Sequence, residues 1–435
     1  MLSNRAQSLL DANDLALQNY GAVINNKWHP TANPQGVINF CTALNNLCED
    51  LLNEKLSSTP NFWNPNSEHI YQYGSLGGNE STKEDLVKFV NRLHHVSIEA
   101  KNVVLAPGVS AAFDMLSFCL AEPNDIILCP SPYYGRISSN FDERGQVKTV
   151  AVPFRDLAHP KLEVERFEAV YQSLKEQGKN VRAVVIVNPN NPLGVVFGAA
   201  EIVSIANWAS QHNMAVIFDE IFASTVYKDE EKFSTVLSLK FTHPERIIWL
   251  WGFSKSLCLP GLRFATIHSE NSHLISCLKK LEFLQPSLSL VQNVACKIMS
   301  DFEWYTKKFL PENLRRLQKH SNLVSKTLTE MSIPFIPPTA GFHVFCNFSE
   351  LLENKSFEGE DELFKAFCSA GVYMTPGQYQ ACDEPGWMRL VFSGSTESLE
   401  EGLRRLRKVV NELRMRNNLN INSQTSALSQ RLSKM

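Results

Sequence analysis

The sequence predicts an α/β protein: a large domain with a mostly parallel sheet and helices on both faces, plus a smaller α+β domain. In the middle of the chain, short apolar runs alternate with longer segments of helical periodicity, as in the βαβ units of parallel sheets. After about residue 300 this alternation gives way to a long amphipathic segment and isolated strand patterns. The change of pattern indicates the second, smaller unit.

The elements of the large domain are read from apolar periodicity. Three short runs are apolar throughout and predict strands buried on both faces, namely residues 126–129, 183–187 and 215–218. Between the last two runs, residues 199–213 repeat apolar side chains at helical spacing. Ligands bind at the carboxyl ends of such strands, which makes the residues that follow each run candidates for a site.

The smaller domain and the chain ends follow from the remaining pattern. Residues 311–331 predict a helix with proline in its first turn, followed by strands at 341–348 and 387–392 and a charged helix at 396–416. The predicted division is an N-terminal segment that packs with the small domain (1–65), a large domain (66–300), the small domain (301–416) and a disordered tail (417–435). The tail is rich in Asn, Ser and Gln, which favours disorder.

Composition excludes several classes of function. The 435 residues carry 42 Lys plus Arg against 45 Asp plus Glu, so the basic surplus expected of a nucleic-acid-binding protein is absent. Apolar runs such as residues 247–251 are much too short to cross a membrane, and residues 1–18 contain no apolar signal-peptide core. The ten cysteines form no Cys-x-x-Cys pair. We therefore expect a cytoplasmic protein without a membrane or nucleic-acid partner.

Polar residues follow three consecutive predicted strands, where one edge of the sheet would bring them together. Asn191 follows the strand at 183–187, Asp219 the strand at 215–218, and Lys255 a strand at 247–251, with Arg263 eight residues further on. Taken singly, these are ordinary turn, cap and surface residues. Together they match one cofactor: a lysine amine condenses with an aldehyde, a carboxylate keeps a pyridine nitrogen protonated, and an arginine holds a phosphate. Pyridoxal phosphate requires all three.

Four motifs then make the sequence recognisable. They are Asn-Pro-Asn-Asn-Pro-Leu-Gly, Phe-Asp-Glu-Ile-Phe, Ser-Lys-x-x-x-Leu-Pro-Gly-x-Arg and Glu-Pro-Gly-Trp-Met-Arg, and they occur in this order. Over about residues 20–415 the chain resembles the fold-type I pyridoxal-phosphate enzymes of the class I/II aminotransferase family. It is most similar to 1-aminocyclopropane-1-carboxylate synthases and their animal synthase-like relatives. The resemblance implies a seven-stranded type of sheet in the cofactor domain.

The resemblance also implies roles for individual residues. Lys255 would hold the cofactor and move the proton of the substrate Cα, and Asp219 would face the ring nitrogen. The implied cofactor-binding residues are Val109, Ser110, Tyr134, Asn191, Asp219, Ser254, Lys255 and Arg263. Tyr73 matches a tyrosine that relatives lend to the neighbouring subunit, which implies a homodimer with a shared active site. Arg389, Asn191 and Ala43 would contact the substrate, with Arg389 binding its α-carboxylate.

Three positions depart from the family pattern. Phe222 stands where relatives carry a tyrosine whose phenol contacts the cofactor ring, and Gly252 where they carry a serine that contacts the phosphate. Leu44 stands in place of a glutamate that lies in the active site of the plant synthases. The loss of this carboxylate argues against cyclisation of S-adenosylmethionine.

The motifs define the cofactor but leave the reaction open. Transamination of an α-amino acid is the preferred prediction, and β-elimination by a lyase is the nearest alternative. A cofactor-binding scaffold with little catalysis is the alternative from another class, motivated by Phe222, Gly252 and Leu44. A metal site is not predicted, because the adjacent His94 and His95 cannot share one helix face.

Overall fold

A seven-stranded sheet forms the centre of the fold. The computed structural model describes residues 2–11, 20–21, 23–58, 71–228 and 233–432. The strands of this part of the chain are β1 (Ile38–Asn39), β2 (Val103–Ala106), β3 (Ile126–Ser131), β4 (Lys148–Pro153), β5 (Val181–Val187), β6 (Ala215–Asp219), β7 (Ile247–Gly252), β8 (Ala265–Ser269), β9 (Phe335–Ile336), β10 (His343–Asn347), β11 (Val372–Tyr373), β12 (Thr375–Pro376) and β13 (Trp387–Val391).

Helices connect and cover these strands. Those of the described residues are Asn4–Asp11, Glu49–Ser58, Glu80–His94, Val109–Leu120, Arg136–Asp142, Val164–Glu176, Ala199–Gln211, Phe253–Ser256, Ser272–Glu282, Ser289–Ser300, Phe302–Trp304, Leu310–Glu330, Phe357–Ser369 and Thr396–Leu432. A π-helical stretch, Tyr305–Phe309, leads directly into Leu310–Glu330.

The predicted fold class is confirmed. The large sheet has the order β2-β8-β7-β6-β5-β3-β4, and β8 alone runs antiparallel to its neighbours. Alternate residues of its central strands enter different hydrophobic cores: Val185 and Ile217 belong to one, and Val184 and Val216 to the other. Because successive side chains of a strand point to opposite faces, two apolar cores require apolar residues at every position. This accounts for the unbroken apolar runs in the sequence.

Two smaller sheets are built from the C-terminal part of the chain. One is antiparallel with the order β12-β13-β10-β9, and the other pairs β1 with β11 in parallel. The second pairing joins the N-terminal segment to the C-terminal strands, with Ile38 opposite Val372. The domain boundaries at residues 65, 300 and 416 stay predictions.

The last helix is longer than its charge pattern predicts. It runs from Thr396 to Leu432, so residues 417–432 are helical where composition favours a disordered tail, and residues 433–435 lie outside the described residues. The segment contains neither glycine nor proline, the two residues that most strongly oppose a helix. None of the helices among the described residues combines the length and hydrophobicity needed to span a membrane.

Candidate active site

A cavity of about 810 Å³ opens at the carboxyl ends of β5, β6 and β7. It brings together ten of the residues singled out in the sequence: Ala43, Val109, Ser110, Tyr134, Asn191, Asp219, Ser254, Lys255, Arg263 and Arg389. Residues from the loop after β1 and from strand β13 complete a wall that the large sheet alone does not supply. The cavity therefore depends on both parts of the fold.

Lys255 lies on the short helix Phe253–Ser256 that follows β7. The next residue, Ser256, fixes this helix: its Oγ accepts from Trp251 Nε1 at 3.0 Å and donates to the Ile221 carbonyl at 3.1 Å. Lys255 Nζ donates to the carbonyl oxygen of Ala43. Burial, reinforced by the charge of Arg389, lowers the pKa of Lys255 to about 8. The lysine thus has a substantial neutral fraction near neutral pH, as a nucleophile or base requires.

Asp219 is the last residue of β6 and is buried beside the lysine. Its Oδ1 accepts from the backbone N–H of Ile221 at 3.0 Å. Burial raises the pKa of Asp219 to about 7, while this hydrogen bond and the charge of Lys255 act in the opposite direction. A buried carboxyl group of this kind is stabilised as an anion by a facing cation, such as a protonated ring nitrogen.

Arg389 is a buried cation on β13 whose partners are neutral oxygens. Its Nη1 donates to Asn191 Oδ1 at 2.8 Å, and its Nη2 donates to the Cys41 carbonyl at 2.6 Å and to Thr375 Oγ1 at 3.2 Å. Its Nε is buried and has no hydrogen-bond partner among the described residues. A carboxylate would supply the counter-charge that this guanidinium lacks.

Several hydrogen-bond donors meet at the start of helix Val109–Leu120. Gly108 precedes the helix with a φ of 99°, and a Cβ at this position would lie 2.2 Å from Arg263 Nη2. The positive φ favours glycine here, and the guanidinium occupies the space that a Cβ would fill. The hydroxyl-bearing residues Ser110 and Ser254 line the same cavity. A helix N-terminus, an arginine and hydroxyl groups are a donor set that fits the phosphate of pyridoxal phosphate.

The predicted tyrosines occupy different environments. Tyr134 lines the cavity, whereas the neighbouring Tyr133 is buried with its hydroxyl 2.8 Å from Ser138 Oγ. Tyr73 is 98% exposed and is not among the cavity-lining residues of its own chain. An aromatic contact to a bound ring is thus open to Tyr134 within the chain, and Tyr73 lies outside this cavity.

The three departures from the family pattern have distinct settings. Phe222 and Leu44 both line the cavity, and the Phe222 ring packs edge-on against Phe342 at 5.3 Å between centroids. Gly252 pairs with Ala265 of β8, and a Cβ at residue 252 would lie 2.6 Å from the carbonyl oxygen of Phe264. A serine at residue 252 would therefore displace the backbone of the neighbouring strand.

The sequence analysis missed His343, a fully buried histidine beside the cavity. Its Nε2 lies 3.2 Å from the Asn190 carbonyl, and its ring packs edge-on against Phe222 at 5.4 Å. Burial lowers the pKa of His343 to about 3, so the ring is neutral near physiological pH. The signal available in the sequence was a single polar residue at the head of an apolar strand pattern.

Comparisons with known proteins point to one family. A model of the family described as aminotransferase class I and II matches residues 36–406. The chain is 30% identical over 424 residues to 1-aminocyclopropane-1-carboxylate synthase-like protein 1 of Mus musculus, covering 94% of this chain and 83% of that protein. It is also 30% identical over 420 residues to the probable inactive 1-aminocyclopropane-1-carboxylate synthase-like protein 2 of Mus musculus, covering 94% of this chain and 72% of that protein.

Solved structures support the same fold. A double mutant of the aspartate aminotransferase of Thermus thermophilus matches with a TM-score of 0.75 at 18% sequence identity, covering 94% of this chain and 99% of that one. At this level of identity the likeness concerns the fold.

Proposed function

Because the chain belongs to the class I and II aminotransferase family, whose cofactor is pyridoxal phosphate, we propose that it is a pyridoxal-phosphate enzyme that transaminates α-amino acids. The observation that supports this proposal is that Lys255 and Arg389 both bond to the short segment of residues 41–43. Lys255 Nζ bonds to the carbonyl of Ala43, and Arg389 Nη2 bonds to the carbonyl of Cys41. A substrate whose carboxylate binds Arg389 would therefore lie along the same short segment as the lysine amine.

Each residue of the site has a physical task in this proposal. When bound, pyridoxal phosphate supplies a ring that accepts electrons as the substrate Cα loses its proton. Lys255 carries that proton, and Asp219 stabilises positive charge on the ring nitrogen. Arg263 and the start of helix Val109–Leu120 bind the phosphate. Asn191 links the two halves of the site, since it already holds Arg389 and lies beside the cofactor space.

A spectroscopic experiment tests the reaction. The pyridoxal-phosphate-loaded protein is mixed with amino acids one at a time, and the visible absorbance, keto acid and ammonia are measured. Transamination predicts loss of the visible band with one keto acid formed per site. Lys255→Ala should abolish both signals, whereas Lys326→Ala, which removes an exposed lysine, should leave them unchanged.

The other outcomes separate the alternatives. Recovery of the visible band as ammonia accumulates would replace transamination with β-elimination by a lyase. A protein that binds the cofactor but responds to no amino acid would be a scaffold. Synthase activity is not part of the proposal, because Leu44 offers no carboxylate to a cationic substrate.

The active form is proposed to be a cytoplasmic homodimer with shared active sites. Tyr73 and three apolar side chains of the 283–288 segment (Phe283, Leu284 and Leu288) are more than 60% exposed. The segments that carry them are joined by hydrogen bonds from Gly77 N to Glu282 Oε2 at 3.0 Å and from Asn79 N to Gln292 Oε1 at 2.9 Å. A second copy would cover this surface. The ten cysteines are all free, which favours a reducing compartment.

A further inference from the structure

We propose that the substrate is an α-amino acid with an uncharged, apolar side chain, and that Leu44 is the residue that selects it. This inference rests on the proposed function, in which Arg389 binds the α-carboxylate. It goes further by assigning the substrate class and the side chain that determines it.

The segment of residues 41–44 borders the place where the substrate must lie. Its first residue, Cys41, bonds through its carbonyl to Arg389 Nη2, and its third, Ala43, bonds through its carbonyl to Lys255 Nζ. The groups that would hold the substrate carboxylate and move the proton of its Cα therefore both lie against this segment. We accordingly place the substituent on the substrate Cα beside residues 42–44.

Leu44 presents an alkyl group at the end of this segment. It lines the cavity with 39% of its surface exposed. An apolar substrate side chain would cover this alkyl group from water, whereas a charged one would lose hydration against it without gaining a partner there.

The described residues that line the cavity carry a surplus of positive charge. Six cationic residues (Arg5, Arg136, Lys148, Lys255, Arg263 and Arg389) and three acidic residues (Asp142, Glu143 and Asp219) are found among them. The cofactor phosphate and the substrate α-carboxylate add about three negative charges, while the substrate amine and a protonated ring nitrogen add positive charge. No net negative charge is then left to attract a cationic side chain.

The acidic residues of the rim have partners already. Glu143 Oε1 accepts from Arg136 Nη1 at 2.9 Å, and Asp142 accepts from Lys148 Nζ at 2.7 Å. A cationic substrate side chain would have to displace one of these ion pairs. The paired rim thus agrees with the charge count in disfavouring a cationic substrate side chain.

Binding of simple carboxylic acids tests the inference without requiring catalysis. Titration calorimetry on the pyridoxal-phosphate-loaded protein would compare 4-methylpentanoate, glutarate and 5-aminopentanoate, which share a carboxylate but lack an α-amine. We expect 4-methylpentanoate to bind at least about tenfold more tightly than the other two. Leu44→Glu should weaken it by about tenfold and strengthen 5-aminopentanoate. Met415→Glu adds the same charge on an exposed helix surface and should change neither affinity.

The outcomes separate this inference from the proposed function. Tighter binding of glutarate or 5-aminopentanoate, an unchanged ranking in Leu44→Glu, or failure of all three acids to bind would overturn the substrate class. The expected ranking in a protein that converts no amino acid would refute transamination and leave the pocket assignment standing. Keto acid formation chiefly from charged amino acids would leave transamination standing and refute the assignment.

Discussion

At the scale of single residues, the site is a set of buried ionisable groups held close to one another. Burial lowers the pKa of Lys255 to about 8 and raises that of Asp219 to about 7. Both shifts reduce the cost of keeping the groups in the cavity, because each favours the neutral form. A bound cofactor and substrate would supply charges opposite to those of these groups.

The lowered pKa of Lys255 predicts how the rate of cofactor attachment depends on pH. Lys255 condenses with the aldehyde only after losing its proton, and its pKa is lowered from 10.5 to about 8. The rate of attachment should therefore rise by about tenfold per pH unit below pH 8 and level off above it. Stopped-flow absorbance after mixing cofactor-free protein with pyridoxal phosphate measures this rate. A midpoint near the ordinary lysine value of 10.5 would contradict the assigned environment.

At the scale of elements, the edge of the sheet that carries the site is held by a second carboxyl group. Glu220 follows Asp219 and is fully buried. Its carboxylate accepts hydrogen bonds from Thr235 Oγ1, Val236 N and Trp249 Nε1 at 2.6–2.7 Å. It therefore ties the end of β6 to β7 and to residues 235–236. We assign it a structural role, since it does not line the cavity.

Removal of this carboxyl group should destabilise the fold. Glu220→Ala leaves three buried donors without an acceptor, and the free energy of unfolding should fall by about 3 kcal/mol. Urea unfolding followed by tryptophan fluorescence measures the change. Glu220→Gln keeps one acceptor oxygen and should lose less. An alanine variant as stable as the parent would show that these hydrogen bonds contribute nothing net.

At the scale of the whole molecule, one exposed apolar surface is the expected contact with a second copy of the chain. The exposed side chains of Phe283, Leu284 and Leu288 lie on a segment hydrogen-bonded to the one that follows the fully exposed Tyr73. Apolar side chains grouped in this way favour an interface over a solvent-facing surface. A dimer formed through this surface would bring Tyr73 close to the other chain.

Disruption of this surface should therefore affect both assembly and cofactor retention. Leu284→Glu, which places a charge at a side chain 69% exposed in the single chain, should convert dimers to monomers in sedimentation velocity. It should also speed the loss of pyridoxal phosphate on dialysis, because Tyr73 would no longer reach the partner. Met415→Glu is the matched control. A parent protein that sediments as a monomer would refute the shared site.

The sequence by itself determined the sheet and the chemistry of its edge. Apolar runs such as residues 183–187 and 215–218 predicted strands because a sheet with two covered faces needs apolar residues at every position. Asn191, Asp219 and Lys255 could be placed together because the carboxyl ends of parallel strands share one edge. Each of these inferences depends on local pattern, which the sequence records directly.

The resemblance named Arg389 and Ala43, but only the tertiary structure decided how these distant residues meet the edge of the sheet. The bonds from Arg389 to Cys41 and from Lys255 to Ala43 join positions more than 200 residues apart, and the burial of His343 beside Phe222 comes from packing between separate elements. The tight fit around Gly252 likewise depends on the neighbouring strand β8. Such contacts arise from the close packing of segments remote in sequence, which leaves no periodic signal along the chain.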